Sequence, residues 1–310
     1  MRSTARRGPI SFATMTDGVD TNQFVITSAG KLAIDAIDYP KQGRVAAVFE
    51  RSFYIEMDHK WFCVGASSLS HGPLNLLSDA PANINWEASG LKLEDRVKIS
   101  ATHIHIGNRF NYSYRDAEPW QPDPITSLNK VTIAAGLATL TSQAHSMAPA
   151  EGLASFLFPD GALTAALPSA ASAIAEMTNF VSDGHFNAAN ILKPVTALIG
   201  LGPGLTPSGD DFLGGMMIAM KMLGEDEKCR VLGNAIEICA SATNDISRAH
   251  LKAAAQGIGA EPLHATIGDI ISNRDQTLKA SLERLDAIGH CSGWDALTGV
   301  VISLRAWLGK

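Results

Sequence analysis

The texture of the chain changes once, at 119–124, where three prolines fall within six residues. Proline lacks a backbone N–H and fixes φ, so neither a central strand nor a helix interior runs through such a stretch. Before it, short runs rich in Val, Phe, Tyr and Ile are separated by turn-like or charged residues. These runs are 44–49, 52–58, 60–65, 96–106 and 109–115, with Gly107 and Asn108 as the turn between the last two. Ile104 and Ile106 alternate with His103 and His105, the period of a strand with one wet face. After the prolines, alanine and leucine dominate and the spacing turns helical. Helices are expected over 127–146, 165–181, 186–198, 210–223, 225–240, 244–256, 275–288 and 295–308. The fold class that follows is α+β: a mainly β domain over 1–120, opening on a loose arm (MRSTARRGP), then a mainly helical domain over 121–310.

A chain of 310 residues buries enough surface to need no covalent staples. Only 18% of it is charged, against about 25% in ordinary domains. A surface so poor in charge points to cover by a partner subunit, and an oligomer is expected. The net charge of −6 and the absence of any basic stripe argue against nucleic acid. The apolar run 216–220 meets Lys221 and then Gly224, far short of the roughly 18–20 residues that span a bilayer. The four cysteines, Cys63, Cys229, Cys239 and Cys291, form no CxxC pair, which argues against both a zinc ribbon and a disulfide framework. Reduced thiols in a cytoplasmic protein are the expectation.

One internal repeat stands out. SGDDFLGG (208–215) and SGWDALTG (292–299) share Ser, Gly, Asp, Leu and Gly in one register. Each copy follows a helical stretch that ends in a glycine, Gly200 or Gly289, which implies two helix–loop–helix units. Ser208 with Asp211, and Ser292 with Asp295, have the spacing of a capping box, in which each side chain satisfies a free helical N–H. Capping leaves other features unexplained. Gly200, Gly202 and Gly204 crowd the first loop, Asp210 adds a second carboxylate, and Gly214, Gly215 and Gly299 sit inside helices, where each costs roughly 1 kcal/mol against alanine. Two glycine-rich helix N-termini brought together would make an anion site from backbone N–H groups and dipoles. Both loops are therefore expected to line one pocket. The first loop lacks the Gly-Lys-Ser/Thr ending of a P-loop, and GPGLTP has Pro207 where a dinucleotide fingerprint has its third glycine. That reading would need a strand over 195–201.

Other residues deserve a role or a dismissal. Thr243 and Ser247 lie one turn apart with Asp245, Arg248 and His250 near them, either a capped surface helix or a site in which the planar Arg248 guanidinium meets a carboxylate or phosphate. His103 and His105 are half of a metal site with no third ligand in view, so solvated or core histidines are the simpler reading. Cys291 is a small core residue or a thiol favoured as thiolate by a helix N-terminus. His290 beside it is the nearest proton-transfer group. HGPLNL is a Gly-Pro turn in which Asn75 bonds its own backbone or a ligand.

The segments GLGPGLTPSGDDFLGG, TNDISRAHL, GHCSGWDALTG and HGPLNL together resemble the bacterial family named after the AllH subunit of oxamate carbamoyltransferase. The resemblance spans most of the chain after about residue 60 and is most specific in the first loop. It implies one component of a multi-subunit enzyme of anaerobic allantoin breakdown, exchanging a carbamoyl group between carbamoyl phosphate and oxamate, with oxalurate as the other species. Carbamoyl transfer passes through a tetrahedral oxyanion and expels phosphate, and both need preorganised N–H donors. On this view Gly202, Gly204, Thr206, Ser208 and Gly209 in the first loop, Ser292, Gly293 and Asp295 in the second, and Asn75 and Arg248 bind the anionic substrates. Asp210, Asp211 and His290 are the candidate catalytic groups. No cofactor or metal is expected. Two alternatives stay open: a non-catalytic assembly subunit, and a magnesium-dependent phosphate- or nucleotide-binding enzyme using Asp210 and Asp211.

Overall fold

The computed structural model describes residues 21–37, 41–125, 127–158, 167–183 and 190–309. The arm MRSTARRGP lies outside them, as does part of the segment 186–198. The first half runs β1 (Asn22–Gly30), α1 (Lys31–Ala36), β2 (Lys41–Val48), β3 (Ser52–Met57), β4 (Lys60–Ala66), β5 (Asn75–Ser78), β6 (Arg96–Ile99), β7 (His103–Ile106), β8 (Phe110–Ser113) and β9 (Glu118–Trp120). The strand order is β5-β4-β3-β2-β6-β7-β8-β1-β9, and β5 also pairs with β1. That second pairing closes the sheet into a barrel, which removes the exposed edges a flat sheet would leave. The expected single strand over 96–106 is two, β6 and β7, paired antiparallel with Val97 opposite Ile106. Ser100 makes the reversal by exchanging hydrogen bonds with the His103 backbone: its N–H and hydroxyl donate to the carbonyl, and the hydroxyl accepts from the N–H.

Strands β6 to β8 bury alternate residues, and Val97, Ile99, Ile104, Ile106, Phe110 and Tyr112 fill the barrel around Trp86. Hairpin β3–β4 differs, because it is buried on both faces. Phe53, Ile55, Phe62 and Val64 point into the barrel, while the cross-strand pair Tyr54 and Cys63 packs outward against Ile246. An unbroken apolar run is what a strand covered on both sides requires. This hairpin is where the barrel meets the helical half.

The second half contains α2 (Lys130–Ala144), a 3-10 turn (Ala154–Leu157), α3 (Ala170–Ser182), α4 (Leu192–Leu198), α5 (Ser208–Met222), α6 (Asp226–Ile238), a 3-10 turn (Ala240–Ala242), α7 (Asp245–Ala254), α8 (Glu261–Ile271), α9 (Asp275–Asp286) and α10 (Ser292–Leu308). The fold class is thus α+β, as the change of texture implied. Helix α8 was not expected, since Gly257, Gly259, Pro262 and Gly268 break the pattern there; Pro262 in fact opens the helix, where its missing N–H does no harm. The strand over 195–201 that a dinucleotide fold would need is helix α4. Helices α5 and α10 are buried nearly all round and pack on each other at the centre of the helical core. No helix of the described residues is long and apolar enough to cross a membrane.

Candidate functional site

The two copies of the repeat are the N-terminal halves of α5 and α10, and their contacts are reciprocal. A methyl group on Gly215, the eighth residue of its copy, would lie 1.9 Å from the carbonyl oxygen of Ala296, the fifth residue of the other. One on Gly299 would lie 2.0 Å from the carbonyl oxygen of Phe212, the same two positions with the copies exchanged. Gly215 and Gly299 therefore let the helices touch backbone to backbone. The second residue of each copy repeats the device against its preceding helix, Gly209 on the Leu198 carbonyl and Gly293 on the Leu285 carbonyl. Equal positions meeting in exchange are the signature of a local two-fold relation. The two N-termini meet at one place, Thr206 against Ser292 and Ser208 against Cys291.

The expected capping boxes do not form. Each helix begins at its serine, preceded by Pro207 or Cys291 as the cap, and neither cap's side chain bonds a free N–H of its helix. The serines turn to the other copy instead. Ser292 Oγ is 2.9 Å from Thr206 Oγ1, and Ser208 Oγ is 3.8 Å from Cys291 Sγ. The Ser292 and Thr206 hydroxyls bear on the Asp211 carboxyl, while Ser208 and the Cys291 thiol bear on Asp295. Burial outweighs these donors and raises both carboxyls, Asp211 well above the usual range. Burial also pushes the Cys291 thiol up to about 12, with Asp295 adding to the shift, so the thiolate suggested by the helix N-terminus does not form.

Asp210 has a different task. Its Oδ1 accepts the Gly200 N–H at 2.7 Å; its Oδ2 accepts the Ser247 hydroxyl at 2.6 Å and the Thr243 hydroxyl. Both oxygens are spent on tying the start of α5 to the first loop and to the segment entering α7. A cation held jointly by Asp210 and Asp211 would have to displace these donors. Among the described residues no three His, Cys, Asp or Glu side chains converge as a metal-binding set, His103 and His105 included.

The loops open onto one cavity of about 910 Å³ between the barrel and the helices. Gly204, Thr206, Ser208, Asp210, Asp211, His290, Ser292, Gly293 and Asn75 line it, so most of the expected site residues converge. The N–H groups of Gly204, Leu205 and Thr206 in the first loop, and of Gly289, His290 and Cys291 in the second, find no acceptor among the described residues. His290 is exposed and pairs with Glu151 at 2.9 Å, and both line the cavity. Asn75 donates to the Ser70 carbonyl at 2.8 Å and closes its own turn.

Four expected residues stand elsewhere. Gly202, Gly209 and Asp295 do not line the cavity; Gly209 is wedged on Leu198, and Asp295 is wholly buried, its Oδ1 accepting the Leu153 N–H at 2.6 Å. Arg248 is turned away, with Nη1 on the Asp245 carboxylate at 2.9 Å, and borders a separate hollow of about 50 Å³. The face of α7 that lines the cavity is Ser247, His250, Leu251 and Ala254, with the i, i+3, i+4, i+7 spacing that leaves position 248 off it.

Tyr54 and Arg51 line the cavity and carried no sign in the sequence. Tyr54 hydroxyl meets His250 Nε2 at 3.2 Å, joining the barrel to α7 across the cavity wall. Burial pushes His250 down to about 4, so at neutral pH it is an uncharged imidazole with one donor and one acceptor. Arg51 is the only Arg or Lys among the described residues that line the cavity.

Two family models match the chain. Residues 13–119 match the AllH family N-terminal domain, and residues 198–304 match the oxamate carbamoyltransferase subunit AllH. No solved structure matches. The second match runs from the end of α4 almost to the end of α10 and so takes in both loops of the cavity. With the barrel and the twin-loop core each matched by its own model, the chain belongs to the AllH family of oxamate carbamoyltransferase subunits.

Proposed function

We propose that this chain works as a subunit of an enzyme exchanging a carbamoyl group between carbamoyl phosphate and oxamate, and that the twin-loop cavity holds these anionic reactants. The observation that carries the reading is the convergence of two helix N-termini on one cavity, with loop amides that no acceptor among the described residues uses. Such amides and the dipoles behind them suit a phosphate, a carboxylate or the oxyanion of a tetrahedral centre. Asp210 serves as the brace of the first loop, and proton movement falls to the exposed His290.

Arg51 takes the place that the sequence suggested for Arg248, because a guanidinium pairs with a carboxylate in the bidentate manner oxamate offers. Losing a charge-assisted hydrogen bond costs about 1.5–3 kcal/mol, so Arg51→Ala is expected to weaken oxamate binding roughly 10- to 100-fold. Arg248→Ala is expected to leave it unchanged. Calorimetric titration of both variants with oxamate checks the pair, and the reverse ranking would overturn the assignment.

The reading itself is tested by titrating the chain, alone and assembled with its partner subunits, with carbamoyl phosphate, phosphate and oxamate. Binding that is lost in Ser208→Ala/Ser292→Ala supports a reactant site here. No binding to either form would leave this chain an assembly component.

A further inference from the structure

Behind the twin loops sit two carboxyl groups, each with one oxygen that nothing satisfies. Asp211 and Asp295 hold the fourth position of their copies, and the Oδ2 atoms of both are shut off from solvent without a hydrogen-bond partner. They are close enough for the charge of one to bear on the other, and Asp210 adds a third acid to the same corner. The groups facing them are the hydroxyls of Thr206, Ser208 and Ser292, the Cys291 thiol, the Leu153 amide, and Tyr54 across the cavity; the His290–Glu151 pair also lines it. The one lining guanidinium, Arg51, belongs to the segment between β2 and β3, on the barrel side. Two helix dipoles favour negative charge here, but their benefit does not extend to three carboxylates crowded within one turn of two helices.

We propose that Asp211 and Asp295 together keep one proton in the neutral pH range, and that Asp211, which lines the cavity, presents it as a hydrogen-bond donor to a carbonyl or phosphoryl oxygen of the bound reactant. This rests on the cavity being the reactant site. The role is that of a donor and not of a base: the proton stays on Asp211 while the bond strengthens as charge gathers on the acceptor oxygen. A carboxyl kept neutral by its surroundings does this in other active sites. Burial, and then the neighbouring charges of Asp295 and Asp210, raise the Asp211 carboxyl, in agreement with the geometry. The pair titrates as a unit, so the retained proton belongs to both.

Asparagine reproduces the shape and keeps an N–H donor, which separates this role from that of a base. In the assembled enzyme Asp211→Asn is expected to keep turnover within about threefold near neutral pH, whereas Asp211→Ala loses at least about thirtyfold. Wild-type activity should fall as the pair ionises at higher pH, and Asp211→Asn should lack that fall. Independently, carbon-13 NMR of the chain labelled at the aspartate carboxyls should show one titration well above the ordinary aspartate range that Asp211→Asn removes. Asp211→Asn as inactive as Asp211→Ala, or every aspartate titrating below about pH 5, would overturn the proposal. A wild-type chain that holds the proton by NMR but binds no reactant in any form would remove the reading of the cavity and the donor role with it, leaving the shared proton as a fact of the fold.

Discussion

Alanine at Gly215 or at Gly299 is expected to lower the melting temperature by about 6–12 °C and to abolish anion binding at the loops. Each added methyl group would sit about 2 Å from a carbonyl oxygen of the partner helix. Backbone cannot rotate aside as a side chain can, so α5 and α10 must separate. Overpacking of a well-filled core costs about 1–3 kcal/mol and more where nothing yields, and about 3 kcal/mol is the expectation here. In a domain of this size each kcal/mol moves the midpoint about 2–4 °C. The neighbouring Gly214 provides the control. Its added methyl would lie 3.5 Å from the Ala254 methyl, an ordinary contact, so Gly214→Ala should be neutral or gain up to about 1 kcal/mol from helix propensity. The double variant Gly215→Ala/Gly299→Ala should fall by less than the sum of the singles, because the first clash already opens the gap that the second needs. Thermal melts followed by circular dichroism decide the matter. Gly215→Ala melting alongside Gly214→Ala would mean that the two helices do not meet in this way.

These glycines also show what a sequence can and cannot tell. The repeat placed both loops at one pocket, and a pair of helical glycines at equal positions hinted that something approaches closely. What approaches is the other copy, and no spacing within one copy shows that. The serines are the clearest case. Ser208 and Asp211 have the separation of a capping box, and the same separation serves a serine that turns to the acid of a helix 84 residues away. Local rules could not choose between the two, because the choice is made by the packing of α5 on α10.

The division into barrel and helices was legible because the prolines of 119–124 end the last strand, the short edge strand β9, and the composition changes across them. The barrel's closure was not, since β1 and β5 are short of the alternation that marks β6 to β8, and their pairing is distant in the chain. Tyr54 and Cys63 escaped for a related reason: the runs around them are apolar on both faces, and only the helical half shows why the outer face needs cover. Arg248 was misplaced by one residue's worth of helical rotation. Thr243 stands in extended backbone before α7 and shares no helix face with Ser247, yet both hydroxyls meet at Asp210.

That convergence makes Asp210 the most consequential side chain of the first loop, and Asp210→Ala is expected to lose stability and ligand binding together. The substitution strands the Gly200 N–H and the hydroxyls of Thr243 and Ser247. A buried donor without its acceptor costs about 1–3 kcal/mol, and the two hydroxyls recover part of this by rotating, which leaves a net loss of about 3 kcal/mol. Gly200 sits at φ +72°, where its would-be methyl meets the Ala242 carbonyl oxygen at 2.2 Å, so the loop has no alternative path through this point. Once released, the segment carrying Gly204 and Thr206 no longer holds its amides toward the cavity. Asp210→Asn keeps the Gly200 bond and lets the hydroxyls turn to accept, so about half the effect is expected. Hydrogen exchange should show the first loop losing protection in Asp210→Ala while the barrel strands keep theirs. The same experiment judges the catalytic role that the sequence suggested. A brace predicts that activity, melting temperature and loop protection fall in step, and Asp210→Asn stands between. A proton-transfer group predicts an inactive Asp210→Asn with an unchanged melting temperature, and that result would return Asp210 to the chemistry.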